Sequence, residues 1–169
     1  MPRARPKKRR IVAFIDYDNV NSVLANYQLK LNFADLMLQM TNLGKVDFAL
    51  VFIPYSSYHY LTKINNLGYE LVVCQKMDPL QDAEKREDKV DSRMAMVGKS
   101  FLEYKEITDI ILATHDKHSL EFASEAIKAG KGLIYFALEN DMGEELKDFI
   151  KAYDVAVYPP PGAEKPSLK

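Results

Sequence analysis

The sequence is poor in the features that would take a chain out of the ordinary globular class. It has one cysteine, Cys74, in 169 residues, so no internal disulfide can form and a reducing compartment suits it. Cys74 lies in the strand-like run YELVVCQ, where a buried core thiol is expected rather than a reactive one. No apolar run approaches the roughly 18–20 residues of a membrane-spanning helix. The opening MPRARPKKRR lacks the apolar stretch and small-residue cleavage site of a secretory leader. A cytoplasmic protein with no membrane partner is therefore expected. No low-complexity block interrupts the middle, so no internal domain boundary is drawn.

What is present is a 47% hydrophobic composition, enough at this length for one domain with a sizeable core. The formal charge of −1 hides an asymmetry. Residues 1–10 carry six Lys or Arg and no acid, leaving 17 basic residues (23 less 6) against 24 acidic ones, a body of −7. Such an arm can add affinity for nucleic acid through counterion release, or it can be a solvated tail. The acidic body argues against nucleic-acid binding over the whole surface.

Hydrophobic period and turn punctuation give an alternation of strands and helices. The strand RIVAFID precedes a helical region ending in NFADLMLQMTNLG, where Phe33, Leu36, Met37 and Met40 mark one face and Gly44 is a stop. Then come the strand DFALVFIPY, the helix SSYHYLTKINNLG, the strand YELVVCQ and a long helix over 83–105. Val90, Met94, Val97 and Phe101 line one face of that helix. The strands DIILATHD, GLIYFAL and VAVYP follow, with the helices SLEFASEAIKAG and GEELKDFIKAY between them. Near-continuous apolar strands alternating with helices predict an α/β doubly wound, mostly parallel sheet with helices on both faces. The predicted domain covers 11–158, between a basic, disordered arm at 1–10 and a Pro-rich tail at 159–169.

Ligands of such sheets bind beyond the C-terminal strand ends, where the strand order reverses. If the long helix carries the chain back across, the fourth strand lies beside the first. Asp16 and Asp18 then meet Asp116 in one crevice. The segments DYDN (16–19), EDKVD (87–91) and ATHDKHS (113–119) converge there. Carboxylates from separate elements can cage Mg²⁺ or Mn²⁺, which with a phosphate present stabilises the phosphoryl charge and activates a water. Alternative duties exist for each acid: Asp18 or Asn19 as the first helix cap, Asp91 and Asp88 on a solvated helix face, Asp116 as the cap before Ser119. His115 and His118 flank Asp116, either as part of a metal cluster or as capping and surface residues. Lys117, Lys89 and Arg93 are candidate phosphate contacts, or solvated and ion-paired side chains. Tyr55, near Tyr58, His59 and Tyr60 at the rim after strand two, is a candidate platform for unpaired bases.

The segments IVAFIDYDNV, KVD and IILATHDKHSLEFASEAIKAGKGLIYF resemble the successive motifs of the NYN domain, a PIN-like family that includes LabA-type proteins. The resemblance spans about residues 10 to 158. The family pattern is a strand ending F-I-D-x-x-N, then K-x-V-D on a helix, then a strand ending S-G-D-x-D-F. Asp16 and Asn19 match the first motif, Asp91 the second and Asp116 the first acid of the third. The resemblance implies a divalent-metal-dependent ribonuclease with Asp16, Asp91 and Asp116 as metal-binding catalytic residues and Asn19 orienting ligands or phosphate. Asp18, Asp88 and His118 are secondary ligands, and Arg9 and Arg10, within the arm, hold the substrate backbone. The implied partner is RNA, single-stranded; association as a homodimer is left open. The chain departs from the pattern at His118, which stands where the family has its second acid. Imidazole suits transition metals better than Mg²⁺. A binding module without catalysis on the same fold is the alternative. The D-x-D at 16–18 also resembles haloacid-dehalogenase-type phosphatases, with Thr114 as the second-motif hydroxyl and END (139–141) as an imperfect acidic pair. A phospho-receiver would need an acid at the end of the third strand, where VVCQK has none.

Overall fold

Strand β1 (Arg10–Asp16) runs through the middle of the sheet, and Ile11 through Ile15 are fully buried. The computed structural model describes residues 8–54, 63–74 and 89–162. A strand covered on both faces needs apolar residues of both parities. Ile11, Ala13 and Ile15 face one layer, built on α1 (Tyr17–Ala25) and α2 (Phe33–Leu43). Val12 and Phe14 face the other, built on α3 (Lys89–Leu102), α4 (Leu120–Lys128) and α5 (Glu144–Tyr153).

The remaining strands are β2 (Lys45–Pro54), β3 (Glu70–Cys74), β4 (Asp109–Ala113), β5 (Gly132–Phe136) and β6 (Ala156–Tyr158). All pairings are parallel, in the order β3-β2-β1-β4-β5-β6. The chain is an α/β doubly wound fold, as expected. The order reverses between β1 and β4, which therefore bound the crevice where such sheets take their ligands. Ile11 pairs with Val46 but Val12 with Phe48, so Asp47 is the extra residue of a bulge in β2.

Strand β1 begins at Arg10, as the run RIVAFID predicted, and the Arg10 N–H donates to Thr108 Oγ1 at 2.9 Å. The expected loose tail is corrected. Pro159–Gly162 do not belong to a loose tail. Asn32 N–H donates to Pro161 O at 3.3 Å, Pro160 and Pro161 are buried, and a Cβ on Gly162 would collide with the Lys30 carbonyl. Cys74 is buried, as expected. Strand β4 ends at Ala113, earlier than the run DIILATHD suggested, because Thr114–Asp116 turn out of the ladder. Of the helix expected over 56–68, the described part is a 3₁₀ turn at Ile64–Leu67; the long helix is described from Lys89. Among the described residues no helix is long and apolar enough to cross a membrane.

Candidate metal centre at the C-terminal ends of β1 and β4

The end of β1 is also the start of α1. Asp16, 3% exposed, uses Oδ1 to accept the N–H of Asn19 at 3.4 Å, so Asp16 itself is the helix cap, not Asp18 or Asn19. Alternation along β1 puts Asp16 on the side of Val12 and Phe14, the side that α3 covers.

Asn19 is turned toward β4. Its Oδ1 accepts the backbone N–H of His115 at 2.7 Å and lies 3.2 Å from His115 Nδ1 and 3.4 Å from Thr114 Oγ1. Leu138 N–H donates to His115 Nε2 at 2.8 Å, so Nε2 carries no proton and the Nδ1 proton points at Asn19. Burial holds this ring neutral, pushing its pKa from 6.5 to about 4 against the opposing pull of Asp141. His115 therefore braces α1, β4 and the segment after β5, and both of its nitrogens are engaged. It is not a ligand in any trio with Asp116 and His118. Asn19, expected to orient ligands or phosphate, spends its amide oxygen on this brace.

The turn after β4 is held from within. Thr114 Oγ1 accepts the Asp116 N–H at 3.1 Å, Asp116 Oδ1 accepts the His118 N–H at 2.9 Å, and Ser119 Oγ donates to Asp116 O at 2.8 Å. Asp116 thus caps the short 3₁₀ turn Lys117–Ser119 that feeds α4, the alternative duty expected of it. Ser119 also lies 2.8 Å from Tyr135 OH, whose pKa burial raises to about 12, so the phenol stays protonated. These bonds fix where the Asp116 carboxylate and the His118 ring can stand.

Asp91, in the first turn of α3, meets them. His118 Nδ1 is 2.8 Å from Asp116 Oδ1 and 3.4 Å from Asp91 Oδ2. One ligand atom from each of Asp91, Asp116 and His118 lies within 4.8 Å of the others. The carboxylates are 17% and 22% exposed and the imidazole 65%, so the group opens to solvent on the histidine side. Two carboxylate oxygens and one ring nitrogen, converging from a helix and a turn, are a donor set that fits a divalent ion, Mn²⁺ and its neighbours better than Mg²⁺. The phosphate-contact candidate Lys117 lies 3.9 Å from Glu145, both side chains being exposed.

The predicted site residues divide. Asp91, Asp116 and His118 come together; Asp16 borders them at the end of β1 but does not join the group, and neither does Asp18 in the first turn of α1. Arg93 is exposed on α3, and Lys89 opens that helix. Asp88 and Tyr55 lie outside the described residues. Arg9 and Arg10 do not reach this crevice. They stand at the opposite end of β1, about 20 Å away by strand rise, where Arg9 lies 3.7 Å from Asp109 and Arg10 grips Asp47 at 2.9 and 3.1 Å. The phosphatase assignment loses its hydroxyl: Thr114 is 1% exposed and already hydrogen-bonded, while Asp141 accepts the Tyr27 hydroxyl at 2.7 Å. The brace made by His115 was missed in the sequence. Its only signal was a histidine placed directly at the end of an apolar strand.

A solved structure from Vibrio parahaemolyticus, titled as a protein of unknown function, is similar to this chain. It has a TM-score of 0.69 at 13% identity, covering 86% of this chain and 91% of that one. At such identity the likeness concerns the fold alone. No family model and no curated protein matches the chain.

Proposed function

We propose that the crevice between β1, β4 and α3 binds a divalent cation, Mn²⁺ or Mg²⁺, and that the protein hydrolyses phosphodiester bonds of single-stranded RNA. The observation that carries the reading is the convergence of Asp91, Asp116 and His118 within 4.8 Å at the point where the strand order reverses. The resemblance of the same segments to the NYN domain supports the choice of RNA. Asp91, Asp116 and His118 would hold the ion, with Asp16 beside them. Bound there, a cation supplies charge for the phosphoryl oxygens and a more acidic water. Asp116 and His118 are positioned by the turn's own hydrogen bonds, and Asp91 by the docking of α3, so little rearrangement is needed to present the three donors.

The test is cleavage of a labelled single-stranded RNA with Mn²⁺, Mg²⁺ or chelator by wild type, Asp91→Asn, Asp16→Asn and His118→Asp. Manganese-dependent cleavage is expected in wild type, with a loss of about 100-fold or more in Asp91→Asn, beyond the 10–100-fold typical of supporting residues. Asp16→Asn is also expected to lose cleavage, while keeping its fold. His118→Asp is expected to shift preference toward Mg²⁺, because an all-oxygen set suits the harder ion. Equal cleavage by wild type and Asp91→Asn removes the catalytic reading. A metal-responsive protein that cleaves no RNA leaves the binding module on the same fold.

A further inference from the structure

We propose that the opposite pole of the molecule, at the N-terminal ends of the strands, is a second contact surface for single-stranded nucleic acid: Phe48 and Tyr104 stack bases, while Lys8, Arg9 and Lys45 hold phosphates. The inference deepens the ribonuclease reading and rests on it for the choice of RNA over DNA.

Three aromatic rings form a chain at this pole. Phe48 and Phe101 have ring centroids 5.2 Å apart, and Phe101 and Tyr104 5.9 Å. Phe101 is anchored on buried Phe14 at 5.8 Å, but Phe48 and Tyr104 are 43% and 56% exposed. The exposure of Phe48 has a topological cause. Strand β3 first pairs with β2 at Leu50, so among the described residues Lys45–Ala49 have no strand on that side. Tyr104 is held in place through its backbone, since Lys131 Nζ donates to the carbonyls of Tyr104 and Ile107, both at 2.7 Å. Exposed rings on a fixed backbone are the stacking platforms that unpaired bases use.

Several cations stand at this pole, at the starts of β1, β2 and β5. Arg9 and Arg10 enter β1, Lys45 enters β2 and Lys131 precedes β5. Two of the acids among them are recessed: Asp47 is 10% and Asp109 12% exposed, under Lys45 and Arg9 heads that are 60% and 52% exposed. Glu103 and Glu106, on either side of Tyr104, are exposed and are offset by Lys8 and Lys105. The Arg9–Asp109 and Lys45–Asp47 contacts, at 3.7 and 3.6 Å, are long and solvent-facing, so a phosphate that draws either cation away costs little. Arg10 is different. Its two-pronged bond raises its own pKa and lowers that of Asp47, keeping that acid neutralised when Lys45 is drawn off. Aromatic faces beside loosely paired cations fit a stacked, phosphate-bearing strand better than an apolar peptide.

The test uses the full chain with fluorescein-labelled U20 in chelator, followed by anisotropy at about 50 and 200 mM salt, with metal-induced thermal stabilisation measured on the same proteins. Wild type is expected to bind, more weakly at the higher salt. Tyr104→Ala is expected to bind roughly 5- to 100-fold more weakly, and Tyr104→Phe, which keeps the ring, as wild type does. Lys45→Glu is expected to weaken binding and flatten its salt dependence. The pole has no such role if wild type fails to bind U20, or if Tyr104→Ala and Lys45→Glu bind U20 like wild type while melting normally. Loss of the pole variants' affinity with no metal response in any protein removes the catalytic reading and leaves this one. Metal-dependent cleavage with unchanged affinity in both pole variants does the reverse.

Discussion

His115 and Asp16 set the behaviour of the crevice one residue at a time. The folded protein holds His115 neutral with a pKa near 4, whereas the unfolded chain binds its proton near 6.5. Between those values the unfolded state takes up a proton that the folded state refuses, so stability falls as pH drops through that window and is fully present above it. Urea midpoints are expected to decline from pH 7 to pH 5 in wild type, and to decline less in His115→Gln. The substitution itself is expected to cost about 2–3 kcal/mol at pH 7, because Leu138 N–H and the Asn19 oxygen lose a buried partner. Asp16 separates its two duties by variant. Asp16→Ala is expected to lose about 1 kcal/mol with the α1 cap, whereas Asp16→Asn keeps a capping oxygen and is expected to unfold like wild type. At this scale the sequence was legible where chemistry-bearing residues follow a strand, as with Asp116 and His118 just after β4. It was not legible where one side chain chooses between two partners. Nothing in the residue order says that Asn19 turns to His115 rather than to a ligand, because that choice is made by β4 arriving beside β1.

The elements decide whether Asp91 meets Asp116 at all. Asp91 rides on α3 and Asp116 on the turn into α4, and the two helices touch at Gly98, where a Cβ would lie 2.6 Å from the Phe122 ring. Gly98→Ala is expected to push the helices apart, cost about 1–3 kcal/mol by urea unfolding, and reduce metal-induced stabilisation more than it reduces secondary structure by circular dichroism. The helical face Val90, Met94, Val97 and Phe101 was readable from its period, and it packs as that period implies. The close approach at Gly98 was not readable, because a glycine inside a helix carries no sign of what will face it. The docking of Pro159–Gly162 on Lys30 and Asn32 escaped for a related reason. Composition gave that segment a disordered look, and a long-range backbone contact overrides composition.

Across the whole molecule, the parallel sheet sets two poles apart, one with the basic Arg9, Arg10, Lys45 and Lys131 beside the acids Asp47 and Asp109, the other with the acidic crevice. Strands begin beside Arg9, Arg10, Lys45 and Lys131, and they end beside Asp16, Asp116, Glu139 and Asp141. Because every strand points the same way, the residues at the start and the end of β1 stand about 20 Å apart, at opposite poles of the sheet. The alternation of apolar strands and helices made the doubly wound fold legible, and the expected return of the chain to place β4 beside β1 is met. Arg9 and Arg10, expected to hold the substrate backbone, stand at the pole opposite the crevice, because a parallel strand carries its two ends apart. Calorimetric titration of the chain with Mn²⁺ is the most direct test of the metal centre. Saturable binding in wild type is predicted, with a stabilisation of about 2.7 kcal/mol at a hundredfold excess over Kd and its loss in the Asp91→Asn/Asp116→Asn double variant. Heats without saturation in wild type, or the same isotherm from the double variant, would contradict it.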